Sequence, residues 1–271
     1  MKFGLGFREY ITAWRTKTFG IKNIIWYNKL KNFLLGVFMI QTIILASVTF
    51  LIACLFMFIR TTQGTGLRAL LLKTLTSFSF VVLGIIVCFD KCDFLSVEFA
   101  FLIIGLVAGM LGDIFLDLKY TYPEHYNQYT SAGIVAFSVC HLCYLPFIIF
   151  VSNASLLMPC IIASAVAICA VLFILLFGKS LLKLDFGEHK LLSLIYTAIL
   201  FFVVAFSVVI TISNVNFILF TVGEALILVS DLILSMIYFG NKRHSKFLSN
   251  LNHTLYYAGQ ILIACCLLLI F

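Results

Sequence analysis

The sequence predicts an all-α polytopic membrane bundle of about eight transmembrane helices. Three observations carry this: 63% of the residues are hydrophobic, only 11% are charged, and the apolar residues gather in eight long stretches with little chain between them. Soluble domains run at roughly 45–50% apolar and about 25% charged, so no water-soluble fold of 271 residues could hide this much apolar surface. A bilayer core takes about 20 residues of helix per crossing.

Taken in order, residues 1 to 32 are basic and aromatic, with Trp14, Trp26 and Tyr27 among Lys17, Lys22, Lys29 and Lys31. The segment holds no apolar run of signal-peptide type and reads as interfacial. Spans follow near 33 to 59, 70 to 89, 95 to 119, 132 to 151, 156 to 178, 189 to 212, 215 to 239 and 254 to 271. Residues 33 to 271 thus form a single eight-helix membrane domain. An even number of spans puts both ends on the same side. The very short loops at 152 to 155 and 213 to 214 predict that spans four and five, and six and seven, are antiparallel neighbours.

Loops one, three, five and seven carry Arg60, Arg68, Lys119, Lys179, Lys183, Lys242, Arg243 and Lys246, while loop two carries only Lys91. By the positive-inside rule the odd-numbered loops are cytoplasmic; the basic tail, on the opposite side, argues the other way. The net charge of +7 does not mark a nucleic-acid partner, because seven of the 18 basic residues lie in the first 32 positions and the rest sit in or beside the loops. Positive charge there serves orientation and anionic headgroups, so the expected partners are membrane lipids.

Of nine cysteines, eight fall inside apolar spans and read as small hydrophobes, and Cys92 is alone in a short loop. The string Cys140-His141-Leu142-Cys143 has the CxxC form. Catalytic zinc needs three protein ligands and an open position. Only His141 of the five histidines is read as membrane-embedded, and adjacent residues on a helix point about 100° apart. No metal and no cofactor are expected.

An ionisable side chain at membrane depth costs at least about 2.5 kcal/mol on insertion scales, so its default reading is functional. The candidates are Asp113 and Asp117 in span three, His141 in span four, and Glu224 and Asp231 in span seven. Tyr196 enters span six, Tyr256, Tyr257 and Gln260 enter span eight, and Lys73 enters span two. All approach from odd-numbered loops, which predicts one polar cavity opening towards one face, with Glu224 at its deeper end. Asp113 and Asp117 are four apart, Glu224 and Asp231 seven apart, and Tyr256 and Gln260 four apart, so each pair shares a helix face. Bland readings stand beside these: a solvated interfacial carboxylate for Asp117, a snorkelling Lys73, a packing role for His141 and an aromatic belt for Tyr256 and Tyr257. They fit Asp113 and Asp231 least, since deep acids in two separate helices have few structural excuses.

Set in order, these positions resemble the lysoplasmalogenase family of multi-pass membrane proteins, often called YhhN-like. The matching pieces are Gly112-Asp113 with Leu116, then Gly133 and Phe137 leading to His141-Leu142-Cys143-Tyr144. Further on come Gly223 to Ser230-Asp231-Leu232, and Tyr256-Tyr257 with Gln260. Lys73-Thr74 resembles the Lys-Pro-Leu that opens the family's second span, with Thr74 in place of the proline. Glu224 is a second departure, at a position where members more often carry a small or apolar residue. The resemblance covers residues 35 to 271.

It implies hydrolysis of the vinyl ether of a lysoplasmalogen to a fatty aldehyde and a glycerophospho-ethanolamine or -choline. It also implies residence in the plasma membrane of a bacterium or the endoplasmic reticulum of a eukaryote. The chemistry needs a proton delivered to carbon, a negative field for the oxocarbenium ion and a captured water. Two carboxyls whose environments differ can divide these tasks, as in glycosidases. Asp113 and Asp231 are therefore the acid and base in either order, with His141 and Tyr257 orienting water or a carboxylate. Lys73 would meet the lipid phosphate as a point charge, and Asp117, Tyr144, Tyr196, Glu224, Ser230, Tyr256 and Gln260 would line the substrate site. Two other classes use the same residues: a proton-coupled transporter with the acids as a relay, and an intramembrane zinc hydrolase built on His141 with Cys140, Cys143 or the acids. Against the transporter, no inverted repeat and no paired Gly/Pro-broken helices are visible.

Overall fold

In hydrocarbon a backbone N–H or C=O finds no water, so a long apolar stretch satisfies its own polar groups by becoming helix. The computed structural model describes residues 21–91, 96–240 and 245–271, with side chains for 36–89, 96–240 and 245–271. The expectations for Trp14, Lys17, Cys92, Lys242 and Arg243, and for the side chains of Lys22, Trp26, Tyr27, Lys29, Lys31 and Lys91, lie outside the described residues.

Eight long helices follow one another: α1 (Ile21–Gln63), α2 (Leu67–Lys91), α3 (Val97–Thr121), α4 (Tyr126–Ser152), α5 (Leu157–Phe177), α6 (Lys190–Ser213), α7 (Ile218–Tyr238) and α8 (Lys246–Ala264). A last turn, α9 (Leu267–Ile270), completes the chain. Among the described residues there is no strand, and each of the eight is long and apolar enough to cross a membrane. The chain is an integral multi-pass membrane protein with an all-α fold.

Several helices outrun the apolar stretches that announce them. α1 begins at Ile21 rather than near 33, α4 at Tyr126 rather than 132, and α8 at Lys246 rather than 254. Hydropathy marks where a helix is apolar, whereas its end is set by where the terminal amides and carbonyls find other partners. At α8 the Ser245 hydroxyl accepts the Leu248 amide at 3.2 Å and fixes the start there. The longer α8 brings His253 into the helical span, where it is buried between the rings of Phe56 and Tyr257. His141 is therefore not the one embedded histidine.

The chain divides into two compact units at Leu45 and Ala46. In the first, the described side chains from Gly36 on are mostly exposed. The second is organised by close pairs: α3 on α4, α7 on α8, α5 on α6 and α2 on α3, with α4 also on α6 and α2 on α8. α6 and α7 pack as their short loop predicts, but α4 and α5 are not a major pair, and α5 lies on α6 instead. The reason is which faces are free. Few positions of α5 are buried, and these are the slim Pro159, Ala163 and Ala167, while α4 has its inward face on α3 and α6.

Glycine makes the tightest of these contacts possible. A Cβ on Gly112 of α3 would lie 2.8 Å from the Phe137 ring of α4, and one on Gly259 of α8 would lie 2.7 Å from the Gly223 carbonyl oxygen of α7. Small residues at membrane-helix interfaces allow such approach, where van der Waals packing rather than the hydrophobic effect drives association. Gly259→Ala forces two backbones apart, and thermal unfolding in detergent is expected to show a loss of about 1–3 kcal/mol.

Candidate functional site

α2 and α3 run antiparallel and carry complementary charges into their shared interface. Lys73 of α2 stands between the two acids of α3, its Nζ 3.2 Å from Asp113 and 3.2 Å from Asp117. Ser77, one helical turn further along α2, donates to Asp113 at 2.6 Å. Arg60 comes down from the last turn of α1 and reaches both oxygens of Asp117, at 2.9 and 2.7 Å, with its guanidinium also beside the rings of Phe56 and Tyr120. Two cations and two carboxylates, nearly closed off from the surface, thus form a neutral tetrad. Lys73 is only 3% exposed, so its ammonium is held among carboxylates below the surface and does not snorkel. Asp117 is 4% exposed and is not a solvated interfacial acid.

A second line of polar groups crosses α7, α4 and α6. Glu224 Oε2 is 3.0 Å from His141 Nδ1, though the pair is misaligned for a hydrogen bond. The other imidazole nitrogen, Nε2, is 3.3 Å from the Tyr196 hydroxyl, which in turn donates to Asp231. Among the described residues no Lys or Arg pairs with Asp231 or Glu224.

A cavity reaches the second of these polar lines. A narrow, largely apolar cleft of about 90 Å³ between α3, α4, α6 and α7 has Asp231 and Tyr196 in its wall, among Leu116, Phe137, Leu200 and Leu228. It shares Thr130, Phe186, Tyr238 and Phe239 with a wider bowl of about 910 Å³, where Asn127, Asp185, Glu188 and His189 supply polar groups. The single open polar cavity expected from the sequence is therefore replaced by two largely closed polar clusters, one of which shows an edge to an apolar cleft.

A match to the YhhN family covers residues 68–267. The chain belongs to the YhhN family. No curated protein and no solved structure matches it. The matched stretch runs from the first turn of α2 to the first residue of α9, and so contains both polar lines except for Arg60.

The remaining candidates of this YhhN chain serve contacts between helices. Ser230 of α7 and Asn252 of α8 bind each other reciprocally, the amide nitrogen donating to the Ser230 carbonyl at 2.8 Å and the serine hydroxyl to the Asn252 carbonyl at 3.1 Å. The Tyr144 hydroxyl donates to Gln260 at 3.3 Å and that of Tyr256 to the Gly109 carbonyl at 3.4 Å. Tyr257 is fully buried with its ring edge-on to Phe56. Among the described residues no three of His, Cys, Asp and Glu are placed to hold a metal ion.

Sequence reasoning missed Arg60, Ser77, Asn252 and Lys119. Arg60 and Lys119 were read as loop cations because each sits beside the end of an apolar stretch. Lys119 is in fact fully buried, its ammonium 3.3 Å from the centre of the Tyr238 ring and 4.9 Å from that of Tyr126. A signal existed for Arg60: its neighbour Phe56 is four residues back and therefore on the same helix face. Removing one member of the tetrad leaves a buried charge unmatched. Arg60→Ala is expected to cost the protein about 3 kcal/mol in detergent unfolding, and the charge-conserving double variant Arg60→Ala with Asp117→Asn distinctly less.

Proposed function

We propose that this YhhN protein is a lysoplasmalogenase, an ether hydrolase that converts a 1-alkenyl-glycerophosphoethanolamine or -choline to a fatty aldehyde and the glycerophospho-alcohol. The observation that carries the reading is the position of Asp231: a carboxyl group in the wall of an apolar cleft that shares four wall residues with a polar bowl. That is the boundary at which the alkenyl chain of a lysolipid meets its polar head. Asp231 and Tyr238 are seven residues apart on α7, about 10 Å along the helix. Nine bonds separate the headgroup nitrogen from the vinyl ether oxygen, about 11 Å when extended at about 1.2 Å per bond. A headgroup in the bowl therefore puts the vinyl ether beside Asp231.

The chemistry follows from how charge is distributed. The tetrad is balanced, and in it Asp113 is held ionised against Lys73. In the other line one imidazole cannot balance two carboxylates, and an unmatched charge in low dielectric is costly, so one carboxyl there carries a proton. We assign it to Asp231, the one in the cleft. Asp231 protonates the alkene carbon away from the ether oxygen, and to the ionised Asp113 we assign the stabilisation of the oxocarbenium ion. The resulting hemiacetal collapses to aldehyde and alcohol.

The test is mass spectrometry of purified protein given a lysoplasmalogen and, in parallel, its saturated-ether analogue. Aldehyde is expected from the vinyl ether alone. Asp231→Asn is expected to lower kcat by at least about 100-fold with folding intact. Folded wild-type protein that yields no product but moves ions with a substrate would favour the proton-coupled transporter.

A further inference from the structure

Acid-catalysed hydrolysis leaves a protein with a proton in the wrong place. Each turnover empties the acid and deposits a proton wherever the attacking water is deprotonated, so that proton must be carried back before the next turnover. We propose that Glu224 is the base that takes the water's proton, and that His141 and Tyr196 return it to Asp231. The proposal rests on the vinyl ether reading above.

The geometry is continuous from one carboxyl to the other. Glu224 Oε2 lies 3.0 Å from Nδ1 of His141, Nε2 of the same ring lies 3.3 Å from the Tyr196 hydroxyl, and that hydroxyl donates to Asp231 Oδ2. Nε2 thus meets the Tyr196 hydroxyl while Nδ1 faces the Glu224 carboxyl on the opposite side, and an imidazole can accept a proton at one edge and release another at the other. Phenol and imidazole each hold donor and acceptor capacity, so no link in the line is a dead end.

Glu224 has a further property that Asp113 lacks. It is fully buried, yet among the described residues neither of its carboxyl oxygens has a well-formed hydrogen bond. A buried carboxyl short of hydrogen bonds is expensive, and internal waters typically make about three hydrogen bonds to otherwise unsatisfied groups. Asp113, by contrast, has its lone pairs occupied by Lys73 and Ser77. Of the two carboxylates, Glu224 is the one whose lone pairs are left for a water to meet. Glu224 and Asp231 are seven residues apart on α7, about 10 Å along its axis, and their side chains converge through the imidazole and the phenol.

The atoms balance without any further reactant. The alkene electron pair takes the Asp231 proton, leaving positive charge shared by the ether carbon and its oxygen. A water lone pair forms the new carbon–oxygen bond as Glu224 takes a water proton. The hemiacetal then breaks its bond to the glyceryl oxygen, which takes up the proton of the hemiacetal hydroxyl. One water is consumed and no electron is gained or lost. What remains is one proton on Glu224 and a vacancy on Asp231. Nε2 of the His141 imidazolium gives its proton to Tyr196 as Tyr196 gives its own to Asp231, and the neutral ring, turned about its Cβ–Cγ bond, takes the Glu224 proton on the nitrogen left bare, which restores the starting state.

The experiment is steady-state aldehyde release by the full chain in detergent, with thermal unfolding as the control for folding. Glu224→Gln, Tyr196→Phe and His141→Ala are each expected to lower kcat by about 100-fold or more with KM within about twofold. Added imidazole is expected to restore activity to His141→Ala and not to Glu224→Gln, a difference that a merely structural histidine would not produce. Should Glu224→Gln fail to fold, Tyr196→Phe, which deletes one hydroxyl from the middle of the line, decides by the same comparison. Near-normal kcat in the folded variants beside an inactive Asp231→Asn would overturn the relay and leave the hydrolase standing. Absence of aldehyde from wild-type protein would remove both.

Discussion

A carboxylate carried into hydrocarbon must be met there by a cation, a proton or a water, because the interior offers it no other solvation. The tetrad meets this condition with protein alone. Asp117 faces Arg60 and Lys73, Asp113 faces Lys73 and Ser77, and charges of both signs cancel at distances of about 3 Å. Three helices are tied together in consequence. α1 contributes Arg60, α2 contributes Lys73 and Ser77, and α3 contributes both acids. Replacing one member is costly even where the pair as a whole adds little net stability, since the penalty lies in the charge left behind.

The second polar line meets the same condition with fewer cations. Glu224, His141, Tyr196 and Asp231 have protons to distribute rather than fixed ions to pair. Lys119 shows a third solution. With its ammonium over the rings of Tyr238, Tyr126 and Tyr120, it uses the negative face of aromatic rings, and Tyr238 is also a wall of both the cleft and the bowl.

Close packing keeps these groups in register. Gly109 stands where α3 meets α4 and α8, and a Cβ there would come within 3.2 Å of the Gln260 amide nitrogen, 3.4 Å of the Cys140 sulfur and 3.6 Å of the Tyr256 hydroxyl. Gly112, one turn along, gives room to Phe137. Bare helix surface at these positions lets long polar side chains from three helices converge without prising the bundle apart, which would expose backbone that lipid cannot satisfy.

How much of this was legible in the sequence differs residue by residue. The eight helices were, because a 20-residue apolar run has one inexpensive conformation in a bilayer and needs no distant partner to adopt it. Asp113, Asp117, His141, Glu224 and Asp231 stood out for the same reason, as ionisable groups at apolar depth. Their partners did not. Lys73 looked like a snorkelling cation and Arg60 and Lys119 like loop charges, since hydropathy records how apolar the neighbouring residues are and not which way a long side chain turns. The division of the acids into a balanced tetrad and a line with a carboxyl to spare, the displacement of α5 from α4 onto α6, and the cleft that reaches Asp231 but not Asp113 were decided by the tertiary structure alone. Each depends on distances between helices that are remote in sequence, and local periodicity says only which face a residue occupies, never what that face will meet.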